Sequence, residues 1–136
     1  MATTTTRRPG TNAVAMLRAV QVLAVLSVLN LVLQFVTAGE LFGRGEGPEG
    51  LHSAGAIALH VVTGLLTIAA GLHWNATRGP LWPTILAGVT FVLSFVQAYV
   101  GGRSTLYIHV PGALVLTVGA VWVLAWSFSA SARARV

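Results

Sequence analysis

Four long apolar stretches dominate this 136-residue chain: Leu17 to Ala38, Leu51 to Trp74, Leu81 to Gly102 and Ser104 to Ala132. The first holds a single charge, Arg18, at its edge, and the other three hold none. A bilayer core of roughly 30 Å is crossed by about 20 apolar residues in helical form, so each stretch is long enough to span. In lipid every backbone N–H and C=O must bond within the protein, which makes spans of this kind helices despite their many Val and Ile residues. With 55% hydrophobic and only 8% charged residues, the chain has too little polar surface to coat a soluble globule. The expected fold is an all-α, integral membrane four-helix bundle of one domain over 13–132. Its helices are expected at about 15–38, 48–74, 81–101 and 104–129, between a disordered cytoplasmic N-terminus, 1–12, and a short tail, 133–136. The fourth helix starts either at Ser104 or near Pro111, because proline favours a helix start yet is tolerated inside membrane helices.

The net charge of +5 comes from eight arginines against three glutamates. These arginines form no basic stripe, so nucleic acid is not an expected partner. Their placement orients the chain instead. With the N-terminus inside, Arg7, Arg8, Arg18, Arg78, Arg133 and Arg135 are cytoplasmic and only Arg44 and Arg103 are outside, as the positive-inside bias of a bacterial plasma membrane protein requires. Trp74, Trp82 and Trp126 then anchor the cytoplasmic interface and Tyr99 and Tyr107 the opposite one. The first span exceeds the apolar core of a signal peptide, and is expected to stay in the mature chain. Zero cysteines exclude disulfides, thiolate metal sites and covalent haem attachment, so any cofactor is held non-covalently.

Ionisable groups inside a span are costly and are functional candidates by default. Of the four histidines, His73 adjoins Trp74 at the cytoplasmic boundary, where headgroups or water are the expected contacts. The other three lie deeper or pair with each other. The second span opens Leu51-His52-Ser53-Ala54-Gly55-Ala56, and the fourth contains Ile108-His109-Val110-Pro111-Gly112-Ala113. Gln34 beside Phe35 ends the first span, and Phe95 with Gln97 ends the third. The chain thus reads as two copies of one helical hairpin, related by a pseudo-two-fold axis along the membrane normal.

In that arrangement His52 and His109 stand at similar depth and face each other across the bundle. Two opposed neutral imidazoles are the ligand set of a non-covalent bis-histidine haem b, and four-helix bundles build cofactor sites from facing side chains. Gly55 and Gly112, a turn below, would open room for the porphyrin. Gln34 and Gln97 are candidates to orient the second imidazole nitrogens or to contact propionates, and Arg103 and Arg44 to pair with propionates. His60 lies two turns below His52, and its counterpart on the fourth span is near Thr117, so a second bis-histidine haem is not expected. A porphyrin edge, a quinone or a carbonyl of a neighbouring helix are the partners open to His60. The expected function is an electron-transfer cytochrome or a haem-bearing subunit of a larger respiratory-type complex or homo-oligomer, in contact with membrane lipids. Its competitor is a cofactor-free accessory subunit, since small residues and isolated His, Gln, Ser and Thr also pack membrane helices. A channel or transporter fits less well, because all three glutamates, Glu40, Glu46 and Glu49, fall in or beside the first loop.

The Gln-Phe and paired His-x-x-Gly elements, spread over nearly all four spans, resemble a family of small actinobacterial four-helix membrane proteins of unassigned function. More distantly the layout is similar to one four-helix half of haem A synthase. That resemblance implies His52 and His109 as axial ligands and gives Glu49, three residues before His52, an acid or gating role. The chain departs from the synthase in being one half only, in lacking its loop cysteine pair and in carrying Ser53 where the synthase has arginine. Glu49 also suits the N-terminal turn of a helix through the macrodipole alone.

Overall fold

A computed structural model describes residues 11–44, 48–134 and 136, the side chains of Thr11 and Arg44 excepted. Expectations that fall on Arg7, Arg8, Glu46, Arg135, the Arg44 side chain and most of segment 1–12 lie outside the described residues. Helix α1 spans Thr11–Arg44, α2 Glu49–Thr77, α3 Trp82–Tyr99, α4 Leu106–Ser127 and the short α5 Ala130–Arg133, with a 3₁₀ turn at Arg103–Thr105. No strand occurs among the described residues. Four of the helices are long and apolar enough to cross a membrane, which fits a multi-pass membrane protein.

The helix ends follow local chemistry more than the apolar boundaries. α1 runs from Thr11 to Arg44, beyond 15–38 at both ends, because no proline interrupts the polar flanks and the glycines there weaken a helix without ending it. α2 continues to Thr77 and stops where Arg78 adopts the left-handed conformation, φ 51°, just before Gly79 and Pro80. Arg78 also lies over the Trp74 ring at 5.4 Å. The fourth helix begins between the two expected starts, at Leu106, and carries Pro111 within it.

α1 packs on α2 and α4, and α3 on the same two, so α2 and α4 stand on one diagonal of the bundle. The connections α1–α2 and α3–α4 share one end, the hairpin end, and the α2–α3 connection lies at the other, the terminal end. Small residues bring the helices close, as membrane packing requires: Gly64 lies under Phe91, and Gly71 and Gly88 meet Thr84 and Thr67 across the α2–α3 seam. Hydroxyls within the bundle bond to carbonyls of their own helices, Ser27 to Leu23, Thr63 to Leu59 and Thr90 to Leu86.

The apolar core is weighted toward the terminal end. Leu17, Val20, Ala24, Leu66, Ala87, Val123 and Trp126 are buried together there, and a second cluster of Leu31, Leu59, Leu116 and Ala120 continues it. Outward-facing side chains such as Leu29, Ile57 and Val115 are exposed, the reverse of a soluble protein. Buried positions recur at one constant spacing from α1 to α3 (Val20, Ala24 and Ser27 against Pro83, Ala87 and Thr90). A second constant spacing links α2 to α4 (Leu59, Thr63 and Leu66 against Leu116, Ala120 and Val123).

Candidate functional site

At the hairpin end the interior changes character. Among the described residues no apolar side chain is buried beyond Leu31 on α1, before Leu59 on α2, beyond Ala87 on α3 or before Leu116 on α4. The groups in that region are Gln34, Thr37, His52, Gln97 and His109. α2 begins at Glu49 and α4 at Leu106, so each helix presents its histidine, His52 or His109, at the same place in its first turn.

Hydrogen bonding sets the tautomer of both rings. His109 Nδ1 lies 3.0 Å from the Gln97 carbonyl oxygen, which only accepts, so Nδ1 carries the proton. His52 Nδ1 lies 2.8 Å from Thr37 Oγ1. The Thr37 hydroxyl hydrogen is directed to its own helix, toward the carbonyls of Leu33 at 3.0 Å and Gln34 at 3.1 Å, so its oxygen accepts from His52 Nδ1–H. In the neutral form of each ring Nε2 then holds the lone pair. Neither Nε2 is among the buried side-chain atoms left without a partner, which are Asn30 Oδ1, His73 Nδ1 and Gln97 Oε1.

Gln97 orients a ring nitrogen of His109, as expected of it, but through its backbone carbonyl; the two side-chain amides go elsewhere. Gln34 Nε2 donates to the His52 backbone carbonyl at 3.1 Å, and its amide occupies the space over Gly55. The Gln97 amide occupies the space over Gly112 in the same way, while its backbone carbonyl holds His109. The room left by both glycines is therefore filled by the neighbouring helix, because a missing Cβ one turn below each histidine faces α1 or α3.

The remaining sequence candidates separate from this group. His60 is held from α3, with Nδ1 2.8 Å from Ser94 Oγ and its ring stacked on Phe95 at 4.1 Å; its partner is a hydroxyl and not a helix carbonyl. Arg103 is exposed on the 3₁₀ turn, and Glu49 is exposed as the first residue of α2. The expectation that His73 meets headgroups or water is corrected: it is 3% exposed, packed edge-on to Trp126 at 5.9 Å. Close packing of α1, α2 and α4 at the terminal end encloses it. Two surface depressions among the described residues lie elsewhere, one beside Arg18, Val22 and Phe128, the other on α3 around Gly88.

Thr37 and Ser94, the hydroxyls that orient His52 and His60, were not singled out from sequence. Helical spacing held the signal, since Gln34 and Thr37 on α1, and Ser94 and Gln97 on α3, stand three residues apart and so share a face. Comparison with known protein families, with curated proteins and with solved structures finds no match for this chain.

Proposed function

We propose that the chain is a b-type haem-binding membrane protein in which His52 and His109 supply the two axial ligands. One observation carries this reading: two diagonally placed imidazoles are both anchored through Nδ1, which leaves the lone pair of the neutral form on Nε2 of each, above the level at which the apolar core ends. Anchoring one ring nitrogen to an oxygen acceptor while the other stays free is how ligating histidines are held. The donor set suits a haem, and two imidazoles suffice for it although no group of three metal-binding side chains occurs among the described residues. When bound, the haem would supply one-electron chemistry. The chain's own work is to fix the two rings and place Arg103 near the hairpin-end surface, where a propionate would lie. Electron transfer, alone or as a subunit of a larger respiratory-type complex, is the matching activity.

The recurrent burial on α1 and α3, and on α2 and α4, together with the Gln34–Gly55 and Gln97–Gly112 contacts, supports a duplicated hairpin as its architecture. The arginine distribution supports both termini being cytoplasmic in a bacterial plasma membrane. The absence of native cysteine makes that directly testable: Ser104→Cys should react with an impermeant maleimide from outside intact cells, and Ser131→Cys only after permeabilisation.

A specific observation favours a second reading, a cofactor-free accessory or packing subunit. Amides seated on glycines are an efficient way to join membrane helices, and they fill the space that a porphyrin would need beside Gly55 and Gly112. Purification after expression with ample haem decides between the two. A Soret band with a low-spin reduced b-type spectrum, lost in His52→Ala and in His109→Ala, supports the haem reading. An ordinary protein spectrum from the wild type refutes it.

A further inference from the structure

The depression beside Arg18 joins a charge to an apolar channel. It is a groove of about 280 Å³ on the outside of the α1–α4 seam, walled on α1 by Arg18, Gln21, Val22, Val25 and Leu26 and on the other side by Phe128. Arg18, Val22 and Val25 follow at helical spacing and so form one stripe of α1. The stripe starts at the terminal end with a guanidinium and descends toward the bilayer centre through apolar side chains alone, about 10 Å of helix rise from Arg18 to Val25. The opposite wall is held in place. Gln21 Nε2 donates to the Ser127 carbonyl at 2.9 Å, which ties α1 to the end of α4, and Arg133 Nη1 donates to the Phe128 carbonyl. A second guanidinium therefore lies beside the groove wall, with only part of its fork of donors in use.

Charge selects the occupant. All three glutamates lie in or beside the first loop, at the hairpin end, so no acidic side chain stands at the end of the bundle that holds Arg18. Residues 1–10 carry Arg7 and Arg8 and no acid, and supply no counter-charge either. An arginine at the edge of the hydrocarbon reaches the headgroup layer along its own apolar stem, and the anion on hand there is a lipid phosphate, which a guanidinium binds through two parallel hydrogen bonds. A zwitterionic headgroup brings a cation with its phosphate, and the terminal end, where Arg18, Arg78 and Arg133 stand, has no acidic side chain to receive it. A partner helix, about 10 Å across, is too wide for a space of about 280 Å³, whereas an acyl chain is a single file of methylenes. We propose that this groove binds one anionic phospholipid of the leaflet at the terminal end, with its phosphate on Arg18 and the first part of an acyl chain along Val22, Val25 and Leu26 against Phe128. The site is independent of the haem reading, because His52 and His109 lie at the opposite end of the bundle.

The full chain in phosphatidylcholine nanodiscs tests the proposal. A small fraction of phosphatidylglycerol with a photoactivatable diazirine in its acyl chain is included, and the adducts formed on irradiation are located by tandem mass spectrometry. The expected result is a set of adducts gathered on Val22, Val25, Leu26 and Phe128, suppressed by excess unlabelled phosphatidylglycerol and unaffected by inorganic phosphate at matched ionic strength. Arg18→Gln should lower them about fivefold, the worth of one arginine at an anionic surface, while Arg78→Gln, which removes the same charge from the same end but outside the groove, leaves them in place. Adducts spread over the exposed faces of all four long helices, equal labelling by the phosphatidylcholine analogue, displacement by inorganic phosphate, or equal effects of the two variants overturns the site. The competition arms need only the wild type, so they decide the matter even if Arg18→Gln does not fold. A missing Soret band in haem-loaded protein would sink the haem proposal without touching this result.

Discussion

Replacing Gly112 with alanine tests how tightly the hairpin end is built. A Cβ there would overlap the Gln97 amide nitrogen, fall 2.9 Å from Gln97 Cδ and lie 3.3 Å from Oε1. The whole amide would have to leave its place, since movement of its tip alone cannot clear Cδ. Overpacking of this kind costs about 1–3 kcal/mol, against which alanine returns about 1 kcal/mol of helix propensity. The net expectation is a loss of roughly 0–2 kcal/mol. Gly39 supplies the reference: a Cβ there meets nothing within 4 Å, so Gly39→Ala should stabilise by about 0.5–1 kcal/mol. In a Gln97→Ala background the obstruction is gone, and Gly112→Ala should behave like Gly39→Ala. The double-mutant cycle, read by circular dichroism during SDS unfolding in dodecylmaltoside micelles, should give a coupling of about 1–3 kcal/mol. Coupling below about 0.5 kcal/mol, the ordinary error of additivity, would refute the argument. Gly55→Ala should cost less, because Gln34 Cδ stands 3.3 Å away and the amide can swing aside by giving up its bond to the His52 carbonyl.

Thr37→Val removes the acceptor for His52 Nδ1–H at nearly constant volume. It should cost about 0.5–1.5 kcal/mol and give His52 mixed tautomers by ¹⁵N NMR while His109 is unchanged; an unaltered His52 spectrum would contradict the assigned hydrogen bond. His73→Leu removes a buried nitrogen without a partner, a gain of about 1–3 kcal/mol, and forfeits the Trp126 contact, about 0.5–1.5 kcal/mol. Stability within about 1 kcal/mol of the wild type is expected in the same unfolding assay, because the ring's bond to the Ala13 backbone is lost as well, and a loss above about 2 kcal/mol would show that Nδ1 too has a partner. Arg78→Gly should be nearly neutral, since relief of the left-handed backbone, about 1 kcal/mol, offsets the lost contact with Trp74, about 0.5–1 kcal/mol. Arg78→Ala loses the contact without the relief and should be the less stable of the two.

The four spans were legible in the sequence because hydrocarbon imposes one local requirement on every residue, apolarity along a closed backbone ladder, and that requirement needs no knowledge of neighbours. The depth of His52 and His109 was legible for the same reason, through their matching places in the two His-x-x-Gly elements. What surrounds each side chain was not. Gly55 and Gly112 read as open space, yet the tertiary packing of α1 on α2 and α3 on α4 fills both with glutamine amides. His73 read as a boundary residue, yet the approach of α1 and α4 encloses it beside Trp126. Only the assembled bundle could decide which imidazole nitrogen keeps its lone pair, since Thr37, Ser94 and the Gln97 carbonyl reach the rings from other helices. Span length is a property of one segment, whereas tautomer and enclosure are properties of contacts between segments, and those depend on the rotation of each helix about its own axis.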